Sequence, residues 1–221
     1  MRVLPSGVDA FILEFGDNAE ALAYLAGLRS HPVDGVVEIV PAARTLLLRT
    51  TGAASMPDVV RAIKDIAPGP LAATADYEIQ IATVYDGEDL TVAADHLGLS
   101  VEALVARHST LTWTVAFCGF APGFAYMTCD DDTWMVPRRS SPRTRVPAGS
   151  VALAGGYTGC YPTSSPGGWQ LIGRTDASLW DTGRSSPALL TPGTRVSFVD
   201  VTGRAPGQEG VRDAETEGAG R

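Results

Sequence analysis

Apolar and polar residues alternate over residues 8–15 (VDAFILEF). This predicts a strand, because successive strand side chains point to opposite faces. Gly16-Asp17-Asn18 offers a turn with helix-cap chemistry, and residues 19–29 place Leu22, Leu25 and Leu28 on one helical face. Two more strands are predicted over 33–40 and 45–50, with a turn at Pro41-Ala42-Ala43-Arg44 between them. Residues 57–67 begin with a proline at a helix start, space Val59, Ile63 and Ile66 on one face, and end at Pro68-Gly69-Pro70. Residues 76–85 alternate again. The order β-α-β-β-α-β fits a small ferredoxin-like α/β layer and predicts an N-terminal domain over 1–84, although the last strand suits either side of the boundary.

The pattern then changes. Residues 88–98 and 100–108 read as two short helices. Ser100 is a plausible N-cap, but Ala103 stands where a capping box needs Glu or Gln. Short β-like pieces follow at 111–118, 151–154, 170–175 and 195–200, separated by Gly/Pro turns, and 187–199 runs through a Pro-Gly turn into the last of them. That spacing predicts a closed or strongly bent β-barrel over 85–203 and an α+β protein as a whole. Residues 204–221 are rich in Gly and Glu with few large apolar side chains, the composition of a disordered tail.

Residues 117–174 stand apart. Glycine and proline concentrate here, yet Phe117, Phe120, Phe124, Tyr126, Trp134, Tyr157, Tyr161 and Trp169 are threaded through the stretch. A flexible linker lacks such rings. Gly/Pro turns with aromatic walls predict a shaped pocket or an interface.

Composition narrows the chemistry. The 221 residues carry a formal net charge of −8, which argues against nonspecific binding to nucleic acid or to an anionic membrane. No apolar run approaches the ~20 residues of a spanning helix, and the first residues lack a signal-peptide pattern. Cys118, Cys129 and Cys160 form no CxxC pair, so they read as reduced thiols of a cytoplasmic protein and as bystanders. Lys64 is the only lysine. It lies on a predicted helix, which disfavours Ser-Lys amidase chemistry in the second half and a biotin-acceptor turn. There is no P-loop, no GxGxxG before a helix, no GxSxG and no metal-ligand spacing among His31, His96 and His108.

What remains is a set of candidates with two readings each. Arg138, Arg139, Arg143 and Arg145 either bind a carboxylate or phosphate through guanidinium forks or pair with Asp130, Asp131 and Asp132. The flanking prolines and aromatics single out Arg143 and Arg145 as the pair for which a ligand role is as good as an internal one. His108 at a helix C-terminus is a core or capping histidine, or a proton-transfer group. Phe120, Phe124, Tyr126, Tyr161 and Trp169 are core, or they stack on a ligand or partner. Trp169, after Pro166-Gly167-Gly168, is the ring most expected at a surface or an interface.

The segments GFAPGFAYM (119–127), PRRSSPRTRVPAGSVALAGG (137–156) and YPTSSPGGWQLIGRT (161–175) resemble the KipI family, also called the 5-oxoprolinase B subunits (PxpB) and often labelled allophanate hydrolase subunit 1. The resemblance covers most of residues 5–200. It implies an N-terminal α/β domain followed by a cyclophilin-like β-barrel, equivalent to one half (subdomains C and D) of a carboxyltransferase domain. It implies a KipA/PxpC-type partner (allophanate hydrolase subunit 2) and, with a LamB/YcsF/PxpA-type subunit, ATP-dependent hydrolysis of 5-oxoproline to glutamate. ATP, with Mg, would serve the complex, and this chain would carry no covalent biotin. Other implied activities are inhibition of a sensor histidine kinase and carboxyl transfer from a biotin carrier on another chain. On the hydrolase reading, Arg143, Arg145 and Arg174 would hold the carboxylate or phosphate, and His108 or Tyr126 would move a proton. Gly155, Gly156, Tyr157 and Thr158 would complete the substrate site, while Phe120, Phe124, Tyr161 and Trp169 would face the partner. Tyr157 stands where many relatives have Gln.

Overall fold

The segments predicted as strands over 8–15, 33–40 and 45–50 form one antiparallel sheet. The structure, a computed structural model, describes residues 1–51, 56–69, 78–131 and 133–203. The chain divides into two units, Met1–Ala72 and Ala73–Arg221. The first contains β1 (Arg2–Pro5), β2 (Ala10–Glu14), α1 (Asn18–Ser30), β3 (Val36–Pro41), β4 (Thr45–Thr50) and α2 (Met56–Lys64), with strand order β1-β2-β4-β3. Asp17 caps α1: its carboxylate accepts from the Glu20 amide at 2.8 Å, and Glu20 reaches back to the Gly16 amide at 2.8 Å. Phe11, Leu13, Leu46 and Leu48 from the sheet pack with Leu25 and Leu28 of α1 and Val59 and Ile63 of α2.

One edge of this layer differs from expectation. The strand predicted over 76–85 is β5 (Glu78–Thr83), which pairs in parallel with a strand of the second unit, while residues 76 and 77 lie outside the described residues. Its place beside β2 is taken by β1, in register from Arg2↔Glu14 to Pro5↔Phe11. A local hairpin closes with a shorter loop than a strand returning from residue 78, so its entropic cost is lower. The boundary accordingly falls near residue 72, not at 84.

The second unit contains β5, α3 (Leu90–Leu97), α4 (Val101–Thr110), β6 (Trp113–Cys118), β7 (Ala125–Thr128), β8 (Arg143–Val146), β9 (Ser150–Ala154), β10 (Tyr157–Cys160), β11 (Ser165–Gly167), β12 (Gln170–Arg174) and β13 (Arg195–Asp200). Its main sheet runs β12-β9-β10-β7-β6-β13-β5. Val84 and Arg174 exchange two backbone hydrogen bonds of 2.9 Å, joining the two edges into a barrel. Ser100 does cap α4, accepting from the Ala103 amide at 3.2 Å. The sequence pattern does not reveal β7, β8, β10 or β11. They are strands of three or four residues inside the Gly/Pro stretch, too short to show a period. The tail predicted over 204–221 lies outside the described residues.

The barrel wall is buried on both faces. Met127, Val151, Leu153 and Cys160 join the interior cluster with Trp113, Ile172, Val196 and Phe198. Ala152, Ala154, Tyr161 and Leu171 instead join Phe124 and Trp169 in a second cluster, with Tyr126 and Tyr157 against it. On β7 and β10, Tyr126 and Tyr157 therefore face out while Met127 and Thr158 face in, as the two-residue period requires. β8 and β11 pair as a separate two-stranded ribbon.

Candidate functional site

The outer cluster is where the barrel opens. A cavity of about 600 Å³ lies in it, walled by the rings of Phe120, Phe124, Tyr126, Tyr157, Tyr161 and Trp169. Its floor is a continuous set of edge-to-face pairs. Phe124 meets Tyr126 at 5.0 Å, Tyr161 at 5.2 Å and Trp169 at 5.4 Å, and Tyr126 meets Trp169 at 5.5 Å. Behind it, Phe117 stacks on Tyr126 at 4.3 Å. The remaining wall is the segment from Met135 to Arg138 and the turn at Pro166-Gly167.

Two turns shape the opening. Tyr157 pairs with Ala154 across the two-residue loop Gly155-Gly156, and Gly155 has φ +57°. Positive φ at the first loop position alone is the II′ hairpin pattern, which glycine adopts without strain. The Gly155 amide is spent on the Val136 carbonyl at 2.6 Å, so it is not a free donor for an anion nest. At the rim, Phe120 has φ +69°, the only positive φ of a non-glycine among the described residues, and its side chain is 60% exposed. Such a backbone costs about 1–3 kcal/mol and holds an apolar ring in solvent at the mouth of the cavity.

The cavity's cation is Arg138. Its guanidinium lies over Gly168, and it makes no ion pair among the described residues. Burial raises the phenols of Tyr126, Tyr157 and Tyr161 above the ordinary tyrosine value, and the charge of Arg138 pulls Tyr126 and Tyr161 partly back. All three therefore stay protonated near neutral pH and can donate hydrogen bonds from their hydroxyls. None of the lining residues is a carboxylate, an imidazole, a thiol or an aliphatic hydroxyl. The lining suits a small anionic molecule with an apolar body. It contains no group that titrates near pH 7.

The other candidates fall elsewhere. His108 is fully buried inside the barrel and does not line the cavity. Its Nδ1 lies 2.7 Å from the Tyr85 hydroxyl and its Nε2 lies 2.9 Å from Thr158 Oγ1, which itself donates to the Ala152 carbonyl at 3.3 Å. One tautomer satisfies all three bonds: Tyr85 donates to Nδ1, and Nε2–H donates to Thr158. Trp113, Trp134 and Phe198 surround the ring at 5.0, 5.8 and 4.4 Å. Burial pushes the imidazole down to about 3, so it is neutral and sealed. This corrects the proton-transfer expectation for His108 and the substrate-binding expectation for Thr158. Both are parts of one interior network. The cysteines fit the bystander reading: burial raises Cys118 to about 11 and Cys160 to about 12, and it also raises Cys129.

Arg143 is likewise internal. Its guanidinium meets Asp89 at 2.9 Å and Glu88 at 3.0 Å. Arg139 meets the same Asp89 carboxylate at 2.7 Å. Burial would raise Asp89, but the Arg143 hydrogen bond, the Leu171 amide and the two guanidinium charges outweigh it and hold the carboxyl below its ordinary value. Arg174 pairs with Asp86 at 2.9 Å beside the barrel seam, and Arg145 donates to Ser164 at 3.1 Å on the exposed ribbon. Neither lines the cavity. The acidic partners of Arg139, Arg143 and Arg174 are thus at 86–89. Asp131 pairs with Arg107, and Asp132 lies outside the described residues. Trp169, expected at a surface or an interface, is 7% exposed and forms part of the cavity floor, as do the buried Phe124 and Tyr161. Gly156 sits beside Met135 at the rim.

Sequence reasoning includes Arg138 among the candidates but favours Arg143 and Arg145 over it. The signal that separates Arg138 from Arg139 and Arg143 is the pair Glu88-Asp89, which supplies partners for those two, while Arg145 donates to Ser164. Met135, Pro137 and Pro166 carry no chemical signal at all.

The barrel thus carries an open aromatic site on an outer face, and an α/β layer precedes it along the chain. Residues 1–190 match the family described as carboxyltransferase domain, subdomain C and D, and the chain belongs to that family, which includes the B subunits of 5-oxoprolinase. It is 48% identical over 136 residues to the 5-oxoprolinase B subunit of Escherichia coli O157:H7, a match covering 60% of each protein. It is 33% identical over 220 residues to the 5-oxoprolinase B subunit of Bacillus subtilis (strain 168), covering 89% of this chain and 91% of that one. Among solved structures, TTHA0988 superposes with a TM-score of 0.72 at 38% identity, over 90% of this chain and 41% of that one. The Kluyveromyces lactis urea amidolyase gives a TM-score of 0.69 at 18% identity, over 91% of this chain and 16% of that one, a likeness of fold. No helix among the described residues is long and apolar enough to cross a membrane.

Proposed function

We propose that this chain is the non-autonomous B-type subunit of a heteromeric ATP-dependent 5-oxoprolinase, a lactam hydrolase that converts 5-oxoproline to glutamate. The observation that supports this most is the cavity: aromatic walls, three protonated tyrosines, one guanidinium with no ion pair among the described residues and no acid or base in the lining tuned to neutral pH. 5-Oxoproline is a small ring with a carboxylate and a lactam carbonyl. Its carboxylate fits Arg138, its ring fits the aromatic walls, and its carbonyl oxygen fits a tyrosine hydroxyl. A lactam is a poor electrophile, and phosphorylating its carbonyl oxygen would supply a leaving group.

The residues that line this cavity do not suit that phosphorylation. Mg²⁺ needs oxygen ligands and a nucleotide needs several cations, whereas the cavity lining offers a single guanidinium and no carboxylate. Among the described residues no His/Cys/Asp/Glu cluster could hold a metal. In this proposal Mg–ATP and the proton-transfer groups sit on the KipA/PxpC-type and LamB/YcsF/PxpA-type subunits, and this chain binds and orients the lactam. Phe120, strained and exposed at the rim, faces the partner.

The test is reconstitution of the three subunits and measurement of ATP-dependent glutamate release. Arg138→Ala should raise KM for 5-oxoproline about tenfold to a hundredfold, the worth of a charge-assisted hydrogen bond. An unchanged KM would remove the cavity from the substrate site. No glutamate release from the wild-type complex would remove the hydrolase.

A further inference from the structure

The wall segment that carries Arg138 is not held by its own secondary structure. Between the Val136–Gly155 bridge and β8, residues 137–142 belong to no helix or strand. Their positions are set instead by contacts that converge on one buried carboxylate. Asp89, at the N-terminus of α3, is 3% exposed. One of its oxygens accepts from Arg139 at 2.7 Å and Arg143 at 2.9 Å, and the other accepts from the Leu171 amide at 2.8 Å. Its own amide donates to the Leu171 carbonyl at 2.9 Å. Asp89 thus ties β12 to both flanks of the Arg138 segment. Two further bonds run beside it, from the Arg139 amide to the Gly168 carbonyl at 2.8 Å and from Gln170 to the Pro137 carbonyl at 3.1 Å. The guanidinium of Arg138 rests over Gly168, in the middle of this frame.

The charges also sort themselves. Three arginines follow Pro137 within six residues, and a carboxylate facing the cavity would neutralise the one meant for a ligand. Asp89 and Glu88 take Arg139 and Arg143 and leave Arg138 unpaired among the described residues. A buried carboxylate that accepts this many charge-assisted bonds is rigid, and removing its charge leaves Arg139 without an acidic partner among the described residues and Arg143 with only the exposed Glu88.

From this geometry we infer that Asp89 is a positioning residue for Arg138. It holds the wall segment in the one arrangement that presents an unpaired guanidinium to the cavity, and it touches no ligand itself. This rests on the cavity being the site of the lactam, so the test has two arms. In the full chain, Asp89→Asn keeps the shape and removes the charge. The Arg139 and Leu171 amides should then exchange with solvent at least tenfold faster, while the Val115 amide, bonded to Thr194 far round the barrel, keeps its rate. In the reconstituted complex, Asp89→Asn should raise KM for 5-oxoproline about tenfold with kcat within twofold, and should add less than twofold in an Arg138→Ala background. Uniform acceleration of all amides or an equal rise in KM in both backgrounds would overturn the inference, because each describes a residue that acts on the fold and not through Arg138, and no acceleration would overturn it because the segment would then be held by something else. If the wild-type complex does not turn over 5-oxoproline, the functional reading fails by itself, and the exchange pattern alone decides the role of Asp89.

Discussion

Two polar groups sit on opposite faces of the same barrel wall, one residue apart on β10. Inside, Thr158 joins His108 and Tyr85 in a chain of hydrogen bonds that ends on a backbone carbonyl. Outside, Tyr157 stands with Tyr126, Tyr161 and Arg138 around an open cavity. The residue types are similar, and both sets are framed by aromatic rings. The difference lies in completion. The interior set satisfies itself, excludes solvent and so contributes to stability. The cationic end of the exterior set lacks an ionic partner among the described residues, so it is free to bind. A histidine near an aromatic cluster is not thereby a catalyst. What matters is whether its hydrogen bonds are already used.

The largest expected effect separates the two faces. His108→Ala leaves a cavity among Trp113, Trp134 and Phe198 and strips partners from Tyr85 and Thr158. It should cost about 4 kcal/mol in denaturant unfolding, from cavity formation plus buried unsatisfied groups. Ligand affinity of the protein that remains folded should be unchanged. A loss below about 1 kcal/mol would mean that the network contributes little.

Acid should act through the interior as well. Native His108 stays neutral down to about 3, whereas in the unfolded chain it takes a proton near 6.5. Below pH 6.5 the unfolded state therefore binds more protons, and the stabilising contribution, complete above that value, fades as pH falls towards 3. Between about pH 6 and pH 4 the loss should be about 2 to 3 kcal/mol, read from urea midpoints. His108→Gln should flatten that slope. Tyr126→Phe, on the outer face, should leave it intact.

A third variant acts on the wall between the two regions. A Cβ at Gly167 would clash with the Tyr161 hydroxyl oxygen. Gly167→Ala should therefore cost about 2 kcal/mol through overpacking and displace Tyr161 into the cavity, lowering ligand affinity. Stability and affinity would then fall together, unlike with His108→Ala. The smallest effect belongs to the rim. Phe120→Ala should change stability by less than about 0.5 kcal/mol, since the ring is 60% exposed. It should nonetheless weaken co-purification with the partner subunit if the exposed ring is an interface anchor.

Much of this was legible in the chain. Alternation located β2, β3, β4 and β13, apolar spacing located α1 and α2, and the Gly/Pro stretch with its rings located the cavity region. The failures have physical causes. β7, β8, β10 and β11 are shorter than any readable period, and a wall buried on both faces shows no polar side. β5 alternates equally well for either unit, so only its parallel partner β13 assigned it.

Local sequence determined the turns, the caps, the stretch that would wall a pocket and the family to which the chain belongs, because these depend on neighbours within a few residues. Which arginines would be tied to a buried carboxylate and whether His108 lay in the core were decided only when Asp89, Leu171 and Thr158 arrived from 50 to 82 residues away. Ionic pairing and burial are properties of what lies nearby in space, and spacing along the chain does not encode them.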